Sequence, residues 1–173
     1  MFYTKIVGIL KINEMKAPKI YLETTIFNFP FADDAPQYKE DTLKLFEEIK
    51  AGKFEPYTSV YTIAELQAEP NQENRNRMMR IIVDYNIKVL ERDNKSDTLA
   101  ELYIQEGAVK ASYPSDALHI AIAAVNGLDF IVSLNFQHIV KRKTIESTAK
   151  INSREGYKQV GIYQPSEVIN DDG

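Results

Sequence analysis

Cysteine is absent from the 173 residues. Without thiols the chain has no disulfide scaffold and no thiolate metal site, which suits a reducing cytoplasm. Only two histidines occur, His119 and His138, too few for a His-rich zinc centre. No apolar run approaches the roughly 20 residues of a membrane-spanning helix, so no membrane contact is expected. The seven glycines form neither G-x-G-x-x-G nor a phosphate-loop pattern, which argues against a dinucleotide enzyme or a P-loop NTPase. An excess of positive charge is missing as well. The net charge is −4, so a nucleic-acid role must rest on local basic patches.

What is present is an ordinary globular balance: 44% hydrophobic and 27% charged residues, in a length that suits one domain. Residues 1–18 read as an N-terminal extension. Phe2, Ile6, Val7, Ile9 and Leu10 are interrupted by Lys5 and Lys11, and the run is too short for a secretory core. Two readings stay open for it: an edge-pairing extension, or a natural start at Met15. The domain itself spans 19–170.

Within it, short apolar runs alternate with amphipathic stretches. Ile20–Leu22, Phe54–Ser59, Ile87–Leu90, Phe130–Val132 and Gly161–Tyr163 read as strands. Helices are expected over 37–51 with Leu43, Phe46 and Ile49 inward, and from Ser59 or Thr62 to Pro70. Another is expected over 71–86 with Met78, Met79, Ile82 and Val83 inward. Further helices should run from a Ser96 or Asp97 cap to Gly107, over 114–126, and over part of 136–155. The helix from Pro114 is apolar all round, which marks a central one. With no hairpin signal, this alternation predicts an α/β fold: a three-layer α/β/α sandwich with a central parallel sheet.

Four polar residues stand where strands give way to helices or loops: Glu23, Glu65, Asp116 and Asn135. Singly, each has a structural explanation. Asp116 suits the positive end of a helix, Glu65 lies three residues after Thr62 as in a capping box, Glu23 is a loop acid, and Asn135 a turn residue. His119, one turn past Asp116, reads as a packed, hydrogen-bonded histidine. Together, three carboxylates and an amide at the carboxyl ends of parallel strands would form an oxygen-rich site for a hard cation. Carboxylates ~4 Å apart repel by about 4 kcal/mol at an effective dielectric of 20, so such a cluster calls for a cation or a raised pKa.

The order of these motifs resembles the PIN domain, particularly the VapC-type toxin ribonucleases. The strand followed by Glu23-Thr24-Thr25 is similar to the family's first motif, and Ile63-Ala64-Glu65-Leu66 to its second. Asp116-Ala117-Leu118-His119-Ile120-Ala121 and Val132-Ser133-Leu134-Asn135-Phe136 are similar to the third and fourth. The resemblance covers about residues 19–169, and its last two motifs are the more specific. It implies a PIN-like fold and a magnesium-dependent endoribonuclease, with manganese as the alternative ion. Glu23, Asp116 and Glu65 would serve the metal, and Asn135 would complete the catalytic set. Thr25 would contact substrate, and the basic run Lys141-Arg142-Lys143, which follows Asn135 closely, would line the mouth of the site, with Lys141 and Arg142 meeting substrate phosphates. A toxin would add an antitoxin partner, and a homodimer is usual in the family.

Two positions depart from the family pattern: Glu23 and Asn135 stand where Asp is usual. An extra methylene moves a carboxylate by ~1.5 Å, whereas preorganised sites tolerate about 0.5 Å. Asn keeps an oxygen but drops a charge. The departures keep a second reading open, a PIN module that binds RNA or a protein without cleaving it.

Overall fold

The computed structural model describes residues 16–169. Residues 1–15, and with them most of the extension and the Met15 start, lie outside the described residues, as do residues 170–173.

Five strands form one sheet: β1 (Lys19–Leu22), β2 (Glu55–Ser59), β3 (Lys88–Leu90), β4 (Phe130–Val132) and β5 (Gly161–Tyr163). Their order is β3-β2-β1-β4-β5, and every neighbouring pair is parallel. Eight α-helices accompany them among the described residues: α1 (Thr24–Asn28), α2 (Pro36–Lys50), α3 (Val60–Gln67), α4 (Gln72–Asp84), α5 (Asn94–Gln105), α6 (Pro114–Val125), α7 (Arg142–Arg154) and α8 (Pro165–Val168). The α/β sandwich read from the alternating pattern is the architecture observed.

The two-residue period of the strands sorts the core into two halves. Tyr21, Ile131 and Ile162 face a cluster built with Leu99 and Tyr103 of α5, Ile120 and Ile122 of α6, and Ile151 of α7. Ile20, Leu22 and Val132 face the other side, with Phe27 of α1, Leu45 and Phe46 of α2, and Met78 and Ile82 of α4. Each side chain of that size taken from water contributes about 1.5–3 kcal/mol. Helix α6 packs most extensively on α5 and is buried from Asp116 to Ala124, as its lack of a polar face requires. Gly127, at φ +65°, ends it in the left-handed conformation that glycine adopts without strain.

Several sequence expectations shift in detail. In α2 the buried positions are Asp41, Thr42, Leu45, Phe46 and Ile49. Leu43, expected inward, is 43% exposed, because the i, i+3, i+4, i+7 stripe centres two residues away. In α4 Ile81 takes the inward place expected of Val83, which is 74% exposed. Helix α5 begins earlier than expected, capped by Asp93, whose Oδ1 accepts from both the N–H and the hydroxyl of Ser96. Helix α3 is capped by Ser59, which accepts from Thr62 N. Glu65 therefore belongs to no capping box at Thr62.

Strand order reverses between β1 and β4. The crevice outside the carboxyl ends at such a switch point is where α/β sheets bind ligands. The Glu23 N–H bonding to Val132 O at 3.2 Å closes the two strand ends side by side there.

Candidate active site

Glu23 follows β1 directly and is the N-cap of α1. It is buried, and its Oε2 accepts three hydrogen bonds: Thr25 N–H at 3.1 Å, Thr25 hydroxyl at 2.5 Å and Ser133 hydroxyl at 2.9 Å. The longer side chain thus folds back onto the helix it caps and reaches across to the end of β4. Thr25 Oγ1 also accepts from Leu134 N at 2.9 Å. Thr25, expected to meet substrate, is engaged in holding Glu23 and joining the two strand ends.

Asp116 lies in the first turn of α6 and is only 7% exposed. Burial raises its pKa above the ordinary carboxylate value. The charges of Glu23 and Glu65 push it further, against the opposing pull of His138 and His119. Among the described residues one hydrogen bond reaches its side chain, from the Asn135 side-chain amide to Oδ1 at 3.0 Å. The Asn135 oxygen accepts from His138 N at 3.2 Å, and Asn135 N–H donates to Ser133 Oγ at 3.0 Å. Asn135 therefore offers Asp116 a donor, while its oxygen serves its own turn.

Glu65 turns elsewhere. Its Oε2 accepts from the Thr24 hydroxyl and bonds His119 Nε2 at 2.9 Å. The other ring nitrogen of His119 meets Tyr21 OH at 2.8 Å, and that phenol reaches Ser59 Oγ at 2.8 Å. His119 is fully enclosed. Burial disfavours its charge, yet the Tyr21 oxygen, the bond to Glu65 and the charges of Glu23 and Glu65 hold its pKa well above 6.5. For Glu65, burial raises the carboxyl, and the hydrogen bond and charge of His119, with Thr24, outweigh this and lower it. Both shifts favour the charged form of each partner. The histidine read as a packed residue is one, with Glu65 rather than Asp116 as its partner.

The structure links Glu23, Asn135 and Asp116 through Ser133 at the switch point, while Glu65 belongs to a separate network with Thr24, His119 and Tyr21. It does not close the three acids into a cage: among the described residues no three His, Asp or Glu side chains converge enough to share one ion. Among the described residues no hydrogen bond is made to Glu23 Oε1 or to Asp116 Oδ2. A cation such as magnesium, which keeps several waters and uses one or two carboxylates together with substrate phosphates, would have to be held by these two residues.

Of the basic residues expected at the mouth, Lys141 caps α7 from an exposed position. Arg142 points outward, 89% exposed, with Nε bonded to Glu146 Oε1 at 2.7 Å. Ser133, Thr24 and Tyr21 were not singled out from the sequence. A tyrosine inside an apolar strand carries a hydroxyl that must find a partner when buried, and that signal was available.

No family model matches the chain, and no curated protein matches it. Among solved structures, a chain of the VapBC2 complex from Rickettsia felis, crystallised bound to a DNA fragment from its promoter, matches with a TM-score of 0.53 at 12% identity. The match covers 84% of this chain and 98% of that one. The chain therefore shares the fold of that VapBC2 chain.

Proposed function

We propose that the chain is a magnesium-dependent endoribonuclease, cleaving RNA phosphodiester bonds at the carboxyl edge of β1 and β4. The observation that carries the reading is the pair of buried acids, Glu23 and Asp116, each with one oxygen unclaimed at the topological switch point. The fold shared with a VapBC2 chain supports it. Ser133 and Thr25 orient Glu23, and Asn135 orients Asp116. Glu65, ionised against His119, aligns the attacking water. Magnesium bound there would offset the two carboxylates and polarise the scissile phosphate. A pairing of this chain with an antitoxin protein, and a homodimer, belong to the same proposal. Incubating the full chain with labelled single-stranded RNA tests it. Internal cleavage in magnesium, absent in chelator, is the expected result.

A second reading is favoured by one feature. His119 already neutralises Glu65, and the Asn135 amide already meets Asp116, so the edge is partly satisfied without an ion. A module that binds RNA without cutting it would retain that arrangement. RNA binding with no cleavage in magnesium or manganese would select it.

A further inference from the structure

A cleft opens beside the acids, between residues 107–113 and 137–144. Its lining includes Lys110, Lys141 and Lys143, all exposed, and holds no carboxylate. Among the described residues none of these three lysine side chains has a hydrogen bond or ion pair, whereas the side chains of Lys39, Lys88 and Lys158 each meet an acid. Three unpaired cations gathered in one recess repel one another and favour an anion between them. Tyr113 and His138 form one wall, stacked with ring centroids 3.6 Å apart and planes 25° from parallel. Tyr113 is 37% exposed. Both rings are tied to the acid edge: Tyr113 is the N-cap of α6, three residues before Asp116, and His138 N–H bonds Asn135.

Resting on the ribonuclease reading, we propose that this cleft is a subsite for one nucleotide of single-stranded RNA next to the scissile bond. Lys110, Lys141 and Lys143 hold the phosphates flanking that nucleotide. Its base stacks on the outer face of Tyr113, which His138 braces from behind. Arg142, committed to Glu146, takes no part. An aromatic platform beside lysines suits an unpaired base, because every base has a stacking face and single strands leave it open.

The test measures anisotropy of a short fluorescein-labelled mixed-sequence RNA against the full chain in chelator, where binding is read without cleavage, over a salt series. The triple substitution Lys110→Gln, Lys141→Gln, Lys143→Gln should weaken binding by roughly tenfold or more, because each lysine contacts phosphate. It should also flatten the salt slope by about 1.4, two phosphates at ~0.7 each. Lys50→Gln, remote from the cleft, should change neither. Tyr113→Ala should weaken binding by roughly tenfold with the slope kept, and Tyr113→Phe should restore it. A triple variant with wild-type affinity and slope overturns the subsite and leaves the acid edge untouched, and absence of RNA binding by the wild type overturns it too. RNA held through these lysines but never cut in magnesium leaves the subsite standing and removes the hydrolase reading.

Discussion

The Asn135 amide donates to Asp116 Oδ1 at 3.0 Å, while its own oxygen is taken by the His138 N–H at 3.2 Å. A neutral donor therefore stands where a cluster of acids would otherwise demand positive charge. Asn135→Asp turns that contact into two carboxylates at close range, which repel by about 4 kcal/mol at ~4 Å and an effective dielectric of 20. In chelator the variant should lose about 1–4 kcal/mol of stability by urea unfolding, part of the repulsion being relieved by movement or protonation. Magnesium should recover the loss, and the magnesium needed for half-maximal cleavage should fall. An unchanged midpoint would refute the charge argument.

Asp116 carries a raised pKa from burial, reinforced by Glu23 and Glu65. The sign follows from linkage: a group whose folded pKa exceeds its unfolded value favours folding when protonated, and that contribution is lost as pH rises through the folded pKa. In metal-free buffer at neutral pH, Asp116→Asn should be more stable than wild type, since it keeps the acceptor for Asn135 and drops the buried charge. The advantage should shrink as pH falls toward the ordinary carboxylate range. Equal stability at neutral pH would mean that Asp116 is not penalised by its burial.

His119 follows the same sign from a different starting value. Its pKa is held well above 6.5, so the stability it contributes is complete below 6.5 and is lost as pH rises through the folded value. Urea midpoints measured on the alkaline side of 6.5 should decline for wild type. His119→Gln, which retains a donor toward Glu65 without a titrating charge, should flatten the decline. A parallel decline in both proteins would place the titrating group elsewhere.

Away from the site, the Tyr103 hydroxyl donates to Asn152 Oδ1 with both residues buried. Tyr103→Phe leaves that oxygen unsatisfied and should cost about 1–3 kcal/mol in denaturant unfolding. RNA cleavage at a temperature well below the transition should be unchanged, which separates a packing role from a catalytic one.

How far the sequence discloses this protein can be judged residue by residue. Helix α6 and strand β4 were legible because an all-apolar helix and an unbroken apolar run each have one stable place, in the middle of the sheet and its layers. Val83 and Leu43 were misplaced because an apolar residue at the border of a helix stripe faces inward or outward according to what packs above it, which the sequence does not state. The strand-end positions of Glu23 and Asn135 were legible for the same reason as β1 and β4. The partners were not. Glu65 bonding His119, 54 residues away, and Ser133 bonding Glu23, 110 residues away, are set by parallel pairing of strands distant in the chain. Arg142 read as a substrate contact by its nearness to Asn135, yet helical spacing gives it Glu146 four residues on.

The account turns on Glu23 and Asp116 sharing magnesium to cut RNA. Cleavage of a labelled single-stranded RNA, followed across a magnesium titration for wild type, Asp116→Ala and Glu23→Gln, tests it most directly. The account predicts internal cleavage by wild type that rises with magnesium and vanishes in chelator, with both variants at background while still binding the RNA. Cleavage that persists in chelator, or that survives in Asp116→Ala, would contradict it.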